Sequence, residues 1–120
     1  VATALREPHH PVVCLVGDGG FMMTGNEMIL AVQRRLPILF VLANNGSYAS
    51  IRIHQERAYP GRHSGTDLFN PDFSAIAKGF GMTVETITRE DQIESALQRG
   101  LQARQPHFIE VKTSLAVTLP

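Results

Sequence analysis

Apolar residues run without a break through positions 11–16 and again through 38–43, and each run ends in glycine or asparagine. Continuous β-branched runs of this length predict strands buried on both faces of a parallel sheet. Between them, Met28, Ile29, Ala31, Val32 and Leu36 recur at helical spacing up to Pro37, and Thr24 and Glu27 stand at capping-box separation. A helix over about 25–35 follows, which makes the pair of strands a right-handed parallel βαβ unit. Further on, Asp72 is placed to cap a helix over 73–80 that stops at Gly79-Phe80-Gly81, and positions 82–87 read as a third strand. Glu90-Asp91 opens a helix to about Arg104, and the β-prone segment 107–113 after Gln105-Pro106 supplies a fourth strand.

The stretch between the second strand and Asp72 reads as irregular, and its part over 60–71 is rich in Gly, Pro and polar residues. A connection that long belongs at a ligand-binding edge. Positions 1–6 read as the last turns of a helix stopped by the segment 7–11, so the N-terminal boundary reads as a truncation or fragment edge. The fold expected is therefore α/β, one domain over 1–120, an open parallel sheet with helices on both faces.

Composition narrows the function classes. With 11 basic against 11 acidic residues there is no charge bias toward nucleic acid or an anionic membrane. No apolar stretch reaches the roughly 18 residues of a membrane span, and the N-terminus lacks signal-peptide order, so a cytoplasmic protein is the expectation. The only cysteine, Cys14, falls inside the first apolar run and reads as an inert core residue with no intrachain disulfide partner.

Chemistry concentrates at Gly17-Asp18-Gly19-Gly20, at the carboxyl end of the first strand. Open parallel sheets bind ligands there, and glycines let backbone N–H groups approach an anion. Taken alone, such a turn is often no more than a tight turn. Asp18 alters the reading, because a carboxylate among phosphate-binding amides repels the phosphate unless a hard cation such as Mg²⁺ lies between them. Asn45, at the end of the next strand, can supply a second oxygen, although Asn44-Asn45-Gly46 on its own is equally a turn signal.

The segment 12–24, with Gly17-Asp18-Gly19, followed 27 positions beyond Asp18 by Asn45 of an Asn-Asn pair, and Pro71-Asp72-Phe73 further on, resembles thiamine-diphosphate-dependent enzymes. It is most similar to their acetolactate synthase and 2-oxo-acid decarboxylase branch. The resemblance implies the C-terminal, diphosphate-binding domain of such an enzyme, without the strand and helix that normally precede the motif. It implies thiamine diphosphate and Mg²⁺ as cofactors, with Asp18, Asn45 and the Ser47 carbonyl on the metal. Gly19, Gly20 and Tyr48 join them as cofactor-binding residues. Catalysis in the family also needs a pyrimidine-binding domain of the same or another chain, which supplies the activating glutamate. A homo-oligomer acting on a 2-oxo acid is thus implied, with no nucleic-acid or membrane partner and no catalytic residue of its own in this chain.

Where acetolactate synthases carry a stretch resembling Gly-Met-Val-x-Gln-Trp, this chain has Ala49-Ser50-Ile51-Arg52-Ile53-His54. A decarboxylase or carboligase reading fits as well, with Ser50, Ile51 and His54 as substrate-side candidates. His9, His10, His63 and His107 lack shared metal-ligand spacing and read as loop or strand-end residues, and Arg52, Arg57 and Arg62 as solvated surface charge. A nicotinamide-binding domain is disfavoured because G-x-G-x-x-G is missing, and a P-loop because no Gly-Lys-Ser/Thr occurs. The alternative from another class is a non-catalytic module that keeps the fold and acts through association, its open sheet edge covered by another chain.

Overall fold

The computed structural model describes residues 1–117. Its centre is a four-stranded, wholly parallel sheet: β1 (Val12–Gly17), β2 (Ile38–Asn44), β3 (Thr83–Ile87) and β4 (His107–Lys112), in the spatial order β1-β2-β4-β3. Among the described residues six α-helices connect and flank the strands: α1 (Ala2–Arg6), α2 (Asp18–Thr24), α3 (Met28–Gln33), α4 (Ala49–Ala58), α5 (Phe73–Gly79) and α6 (Ile93–Gln102). The open parallel sheet with helices on both faces is thus present.

Each face has its own core. On one, Ala4, Phe21, Met28, Ala31, Phe73 and Ala77 pack over Ile38, Phe40, Leu42 and Phe108. On the other, Ala96 of α6, with Ile93 and Leu97 beside it, covers Leu39, Val41, Ile87 and Ile109. The alternation of β2 explains the split: even positions face the larger core and odd ones the smaller, so a strand with helices on both sides needs apolar residues throughout. Phe21 meets Phe73 and Phe108 edge-on, at centroid distances of 5.3 and 5.8 Å. Such pairs add about 0.5–1.5 kcal/mol each beyond their buried area. They tie α2 to α5 and the sheet, and α2 begins at Asp18.

Several expectations are corrected. β1 is an edge strand, not one buried on both faces: Val13 is 50% and Leu15 76% exposed. α6 packs mainly over β2 and β4. Cys14, on the opposite face of β1 toward α2, is exposed as well and is no core residue. The helix read over 25–35 starts at Asp18, passes through a 3₁₀ turn at Gly25–Glu27 and resumes as α3, and the Thr24 side chain forms no cap. The turn glycines are therefore the first turn of a helix. The segment read as irregular after β2 contains α4, a ten-residue helix with no buried residue, whose polar composition hides it from an apolar-periodicity argument. Asp72 does cap α5, its carboxylate accepting from Ala75 N–H at 2.8 Å.

A charged cluster joins α6 to the far edge of the sheet. Glu85 of β3 accepts from Arg99 of α6, and His107 Nε2 lies 3.1 Å from its carboxylate. The Arg99 hydrogen bond, ahead of burial and the neighbouring charges, holds the Glu85 carboxyl below the usual glutamate range. A depressed folded-state pKa contributes stability above the ordinary glutamate value that is lost as pH falls through the folded one. Glu85→Gln should therefore lower stability near neutrality and leave it unchanged at strongly acidic pH, as measured by urea unfolding across pH. An equal loss at both ends would refute the ionic origin.

Candidate functional site

The site lies where β1 and β2 end side by side. Parallel register pairs Gly17 with Ala43, so the next residues, Asp18 and Asn44, stand together at the carboxyl edge. Asp18 opens α2 and is only 2% exposed. Its Oδ2 accepts from the Gly46 backbone N–H and from Asn70 Nδ2, both at 2.7 Å, while Oδ1 accepts from the Gly19 N–H at 2.9 Å. Gly46 turns the chain at φ +69°, a conformation that favours glycine and aims its N–H back at Asp18.

The asparagine turn is held in its own right. Asn45 Oδ1 accepts from the Ser47 N–H at 3.0 Å, an Asx turn. Ser47, 3% exposed, donates through Oγ to the Thr66 carbonyl, and Tyr48 N–H donates to the same oxygen. Leu68 N–H donates to the Gly46 carbonyl, so positions 66–68 lie along 46–48 as a short antiparallel staple. The long polar connection reaches the carboxyl edge of the sheet, and it brings Asn70 to Asp18.

The oxygens expected on the metal can be counted by their free lone pairs. Asp18 Oδ1 has one partner, Asn45 Oδ1 has one and the Ser47 carbonyl has one, the Ala49 N–H, among the described residues. Each oxygen has room for a second contact, and all three are hard donors of the kind Mg²⁺ takes. No group of three or more His, Cys, Asp or Glu side chains assembles among the described residues. Asn45 also lines a cleft of about 630 Å³ outside the carboxyl ends of β2, β3 and β4, whose rim includes Arg89 and Lys112. Asp18 does not line it. A smaller apolar hollow of about 200 Å³, lined by Cys14, Phe21, Met28 and Phe40, lies on the α2 side of the sheet.

Gly19 is buried under the Tyr48 ring: a Cβ there would lie 2.4 Å from Tyr48 Cε1. Gly20 is exposed and meets only Val16 at 3.5 Å. Ser50, Ile51 and His54 are exposed on α4 and share one side of that helix by their spacing. His9 and His10 are exposed beside α1, His107 is buried at the start of β4, and His63 sits in the loop after α4.

Arg52 is not the solvated charge that its sequence context suggests. Its side chain is 14% exposed, with one guanidinium nitrogen 2.6 Å from Asp67 and another 2.7 Å from His63 Nε2. Arginine only donates, so His63 Nε2 accepts and Nδ1 carries the hydrogen toward Glu56 at 2.9 Å. The Gly61 N–H bond, and next the His63 bond, hold the Glu56 carboxyl below its usual range. This cluster fastens the loop carrying Thr66 and Asp67 to α4.

Two members of the site escaped the sequence reading. Asn70 sits in a polar loop with no periodicity to mark it. Glu110, 2% exposed, lies inside β4 and accepts from Asn44 Nδ2 at 2.7 Å. The signal available for Glu110 was an acidic residue set between Ile109 and Val111 in an apolar strand.

Fold and site together define an α/β domain with a buried carboxylate and an asparagine turn at the carboxyl ends of neighbouring parallel strands. A model of the C-terminal TPP-binding domain of thiamine pyrophosphate enzymes matches residues 1–111, and the chain belongs to that family. It is 37% identical over 112 residues to the acetolactate synthase isozyme 2 large subunit of Escherichia coli K12, covering 92% of this chain and 20% of that protein. It is 31% identical over 113 residues to benzoylformate decarboxylase of Pseudomonas aeruginosa, covering 94% and 21%. Among solved structures, the thiamine diphosphate-dependent 4-hydroxybenzoylformate decarboxylase of Rhodococcus jostii RHA1 superposes with a TM-score of 0.87 at 28% identity, over 95% of this chain and 22% of that one. The chain thus spans about a fifth of the length of these relatives.

The Gly19–Tyr48 contact can be tested directly. Gly19→Ala should destabilise the chain, and the same change in a Tyr48→Ala background should cost less. Chemical denaturation of the double-mutant cycle should give a coupling of about 1–3 kcal/mol. Additive effects would show that the ring does not rest on Gly19.

Proposed function

We propose that this chain anchors the diphosphate of thiamine diphosphate through Mg²⁺, as part of an acetolactate synthase-like decarboxylase or carboligase acting on 2-oxo acids. The observation that carries the reading is the set of three half-satisfied oxygens on Asp18, Asn45 and Ser47, on two adjacent turns at the carboxyl edge. These oxygens would hold the cation. On this reading the first turn of α2, at Gly19 and Gly20, faces the diphosphate with the positive end of the helix dipole; the Gly19 N–H is already donated to Asp18 Oδ1, which leaves the Gly20 N–H as the amide for the anion. When bound, the cofactor would supply a thiazolium ring that serves as nucleophile and electron sink for loss of CO₂ from a 2-oxo acid.

The chain's own part is to fix position, so that a soft, charged ligand is presented in one orientation. Ser50, Ile51 and His54, exposed on α4 just after the Asn turn, are the substrate-side candidates on this reading. The remaining groups would come from a pyrimidine-binding domain of the same or another chain, within a homo-oligomer. No helix among the described residues is long and apolar enough to cross a membrane.

A second reading, a non-catalytic module acting by association, is favoured by the open face of β1 at Val13 and Leu15. Turnover separates the two: release of CO₂ from a 2-oxo acid, with a pyrimidine-binding domain supplied, supports the enzyme, and binding without release supports the module.

At a hundredfold excess over Kd, Mg²⁺ and thiamine diphosphate together should stabilise the chain by about 2.7 kcal/mol. Either ligand alone should give much less, and Asp18→Ala should abolish the shift. Unfolding monitored by circular dichroism checks this, and an undiminished shift in Asp18→Ala would rule out Asp18 as the anchor.

A further inference from the structure

We propose that Asn70 is a positioning residue that occupies one oxygen of Asp18 and thereby leaves the other for the cation, and that Glu110 sets the orientation of Asn70 through Asn44. The inference rests on the anchoring role proposed above and concerns how the anchor is kept in order.

Asn70 Nδ2 lies 2.7 Å from Asp18 Oδ2 and 2.9 Å from Asn44 Oδ1. An amide nitrogen carries two hydrogens, and two acceptors use both. Reversing the amide would set its oxygen against two other oxygens, so the orientation is determined. Asn70 Oδ1 is buried without a partner among the described residues, so the nitrogen's contacts are what fix the group.

The orientation of Asn44 is fixed in turn. Its Nδ2 donates to Glu110 Oε1 at 2.7 Å, which leaves its oxygen toward Asn70. Glu110 is held from its other side by Ser74 Oγ at 3.0 Å on Oε2, and Lys112 Nζ pairs with Oε1. Ser74 itself contacts Thr86 Oγ1 at 2.8 Å. A carboxylate only accepts, so donor direction runs one way along the chain of side chains, from Asn70 to Asn44 to Glu110. Five elements contribute: the ends of β2 and β4, β3 through Thr86, α5 and the loop before it. The backbone at Asn70 is itself pinned, between the 66–68 staple and the Asp72 cap of α5.

The consequence falls on Asp18. Gly46 N–H and Asn70 Nδ2 fill both lone pairs of Oδ2, while Oδ1 has Gly19 N–H alone. Oδ1 therefore carries the free lone pair, the same condition as at Asn45 Oδ1 and the Ser47 carbonyl. Without Asn70 the carboxylate keeps only its two backbone donors, and its terminal torsion, broad for Asp, is free to turn. Both oxygens then compete for the cation, and the preset arrangement is lost.

The test compares the 120-residue chain with Asn70→Ala and with the isosteric Asn70→Asp, each at a temperature where circular dichroism shows it folded. The affinity for Mg²⁺–thiamine diphosphate is measured by calorimetry, alongside the melting temperature without ligand. The expected result is an affinity loss of tenfold or more in both variants, with rising Mg²⁺ partly restoring binding in Asn70→Ala. A merely structural role would lower the unliganded melting temperature and leave affinity within twofold, and that result overturns the inference. Should both variants unfold, the wild-type chain still decides. Two slowly exchanging Asn70 side-chain hydrogens that shift on adding Mg²⁺ and thiamine diphosphate support the inference, and hydrogens that exchange as fast as a free amide refute it. A wild-type chain that binds no cofactor sinks the anchoring role and this inference together; wild-type binding matched by Asn70→Ala sinks this inference alone.

Discussion

A carboxylate taken almost wholly out of water has to be surrounded by donors, and the donors Asp18 recruits come from three separate stretches of chain. Gly19 belongs to its own helix, Gly46 to the turn after the neighbouring strand, and Asn70 to a loop more than fifty positions away. Satisfying one buried side chain thus draws the end of β1, the end of β2 and the approach to α5 to a single point. The cofactor-binding reading depends on that convergence, because the amide and carbonyl oxygens of Asn45 and Ser47 are brought up by the same turn that serves Asp18.

What keeps the convergence in place is apolar. Phe21 follows Asp18 by less than one helical turn and is clamped edge-on by Phe73 and Phe108, so α2 cannot shift without opening the larger core. Phe73 in turn opens α5, directly behind Asn70, Pro71 and Asp72. The polar cluster and the aromatic cluster therefore share their supporting elements. Parallel register adds the remaining constraint, since Asn44 pairs with Lys112 on β4 and so stands next to Glu110.

The loop after α4 has a comparable logic. Arg52, His63 and Glu56 lock it to the helix, and that places the Thr66 carbonyl to receive Ser47 and Tyr48. A segment with little apolar content is held by charge and hydrogen bonds, and it steadies the turn that carries two of the three candidate cation ligands. The side of β1 at Val13 and Leu15 has no such cover, which suits a domain that spans about a fifth of its relatives' length.

The sequence by itself determined the four strands, the Asp72 cap and the positions of the Gly-Asp-Gly and Asn-Asn turns. These are local: apolar runs, turn residues and capping groups act within a few positions of where they stand. It also marked the long polar connection that reaches the carboxyl edge of the sheet. Only the tertiary structure decided that β1 lies at the edge with Cys14 exposed, because burial depends on strand order and on which helix covers which strand, and neither is written in one strand's composition. It alone revealed α4, which has no apolar stripe to announce it, and turned Arg52 inward to a histidine and an aspartate. It alone found Asn70 and Glu110, since a hydrogen bond is a condition on distance and direction between atoms, and residues 52 or 66 positions apart meet it only once the chain has folded.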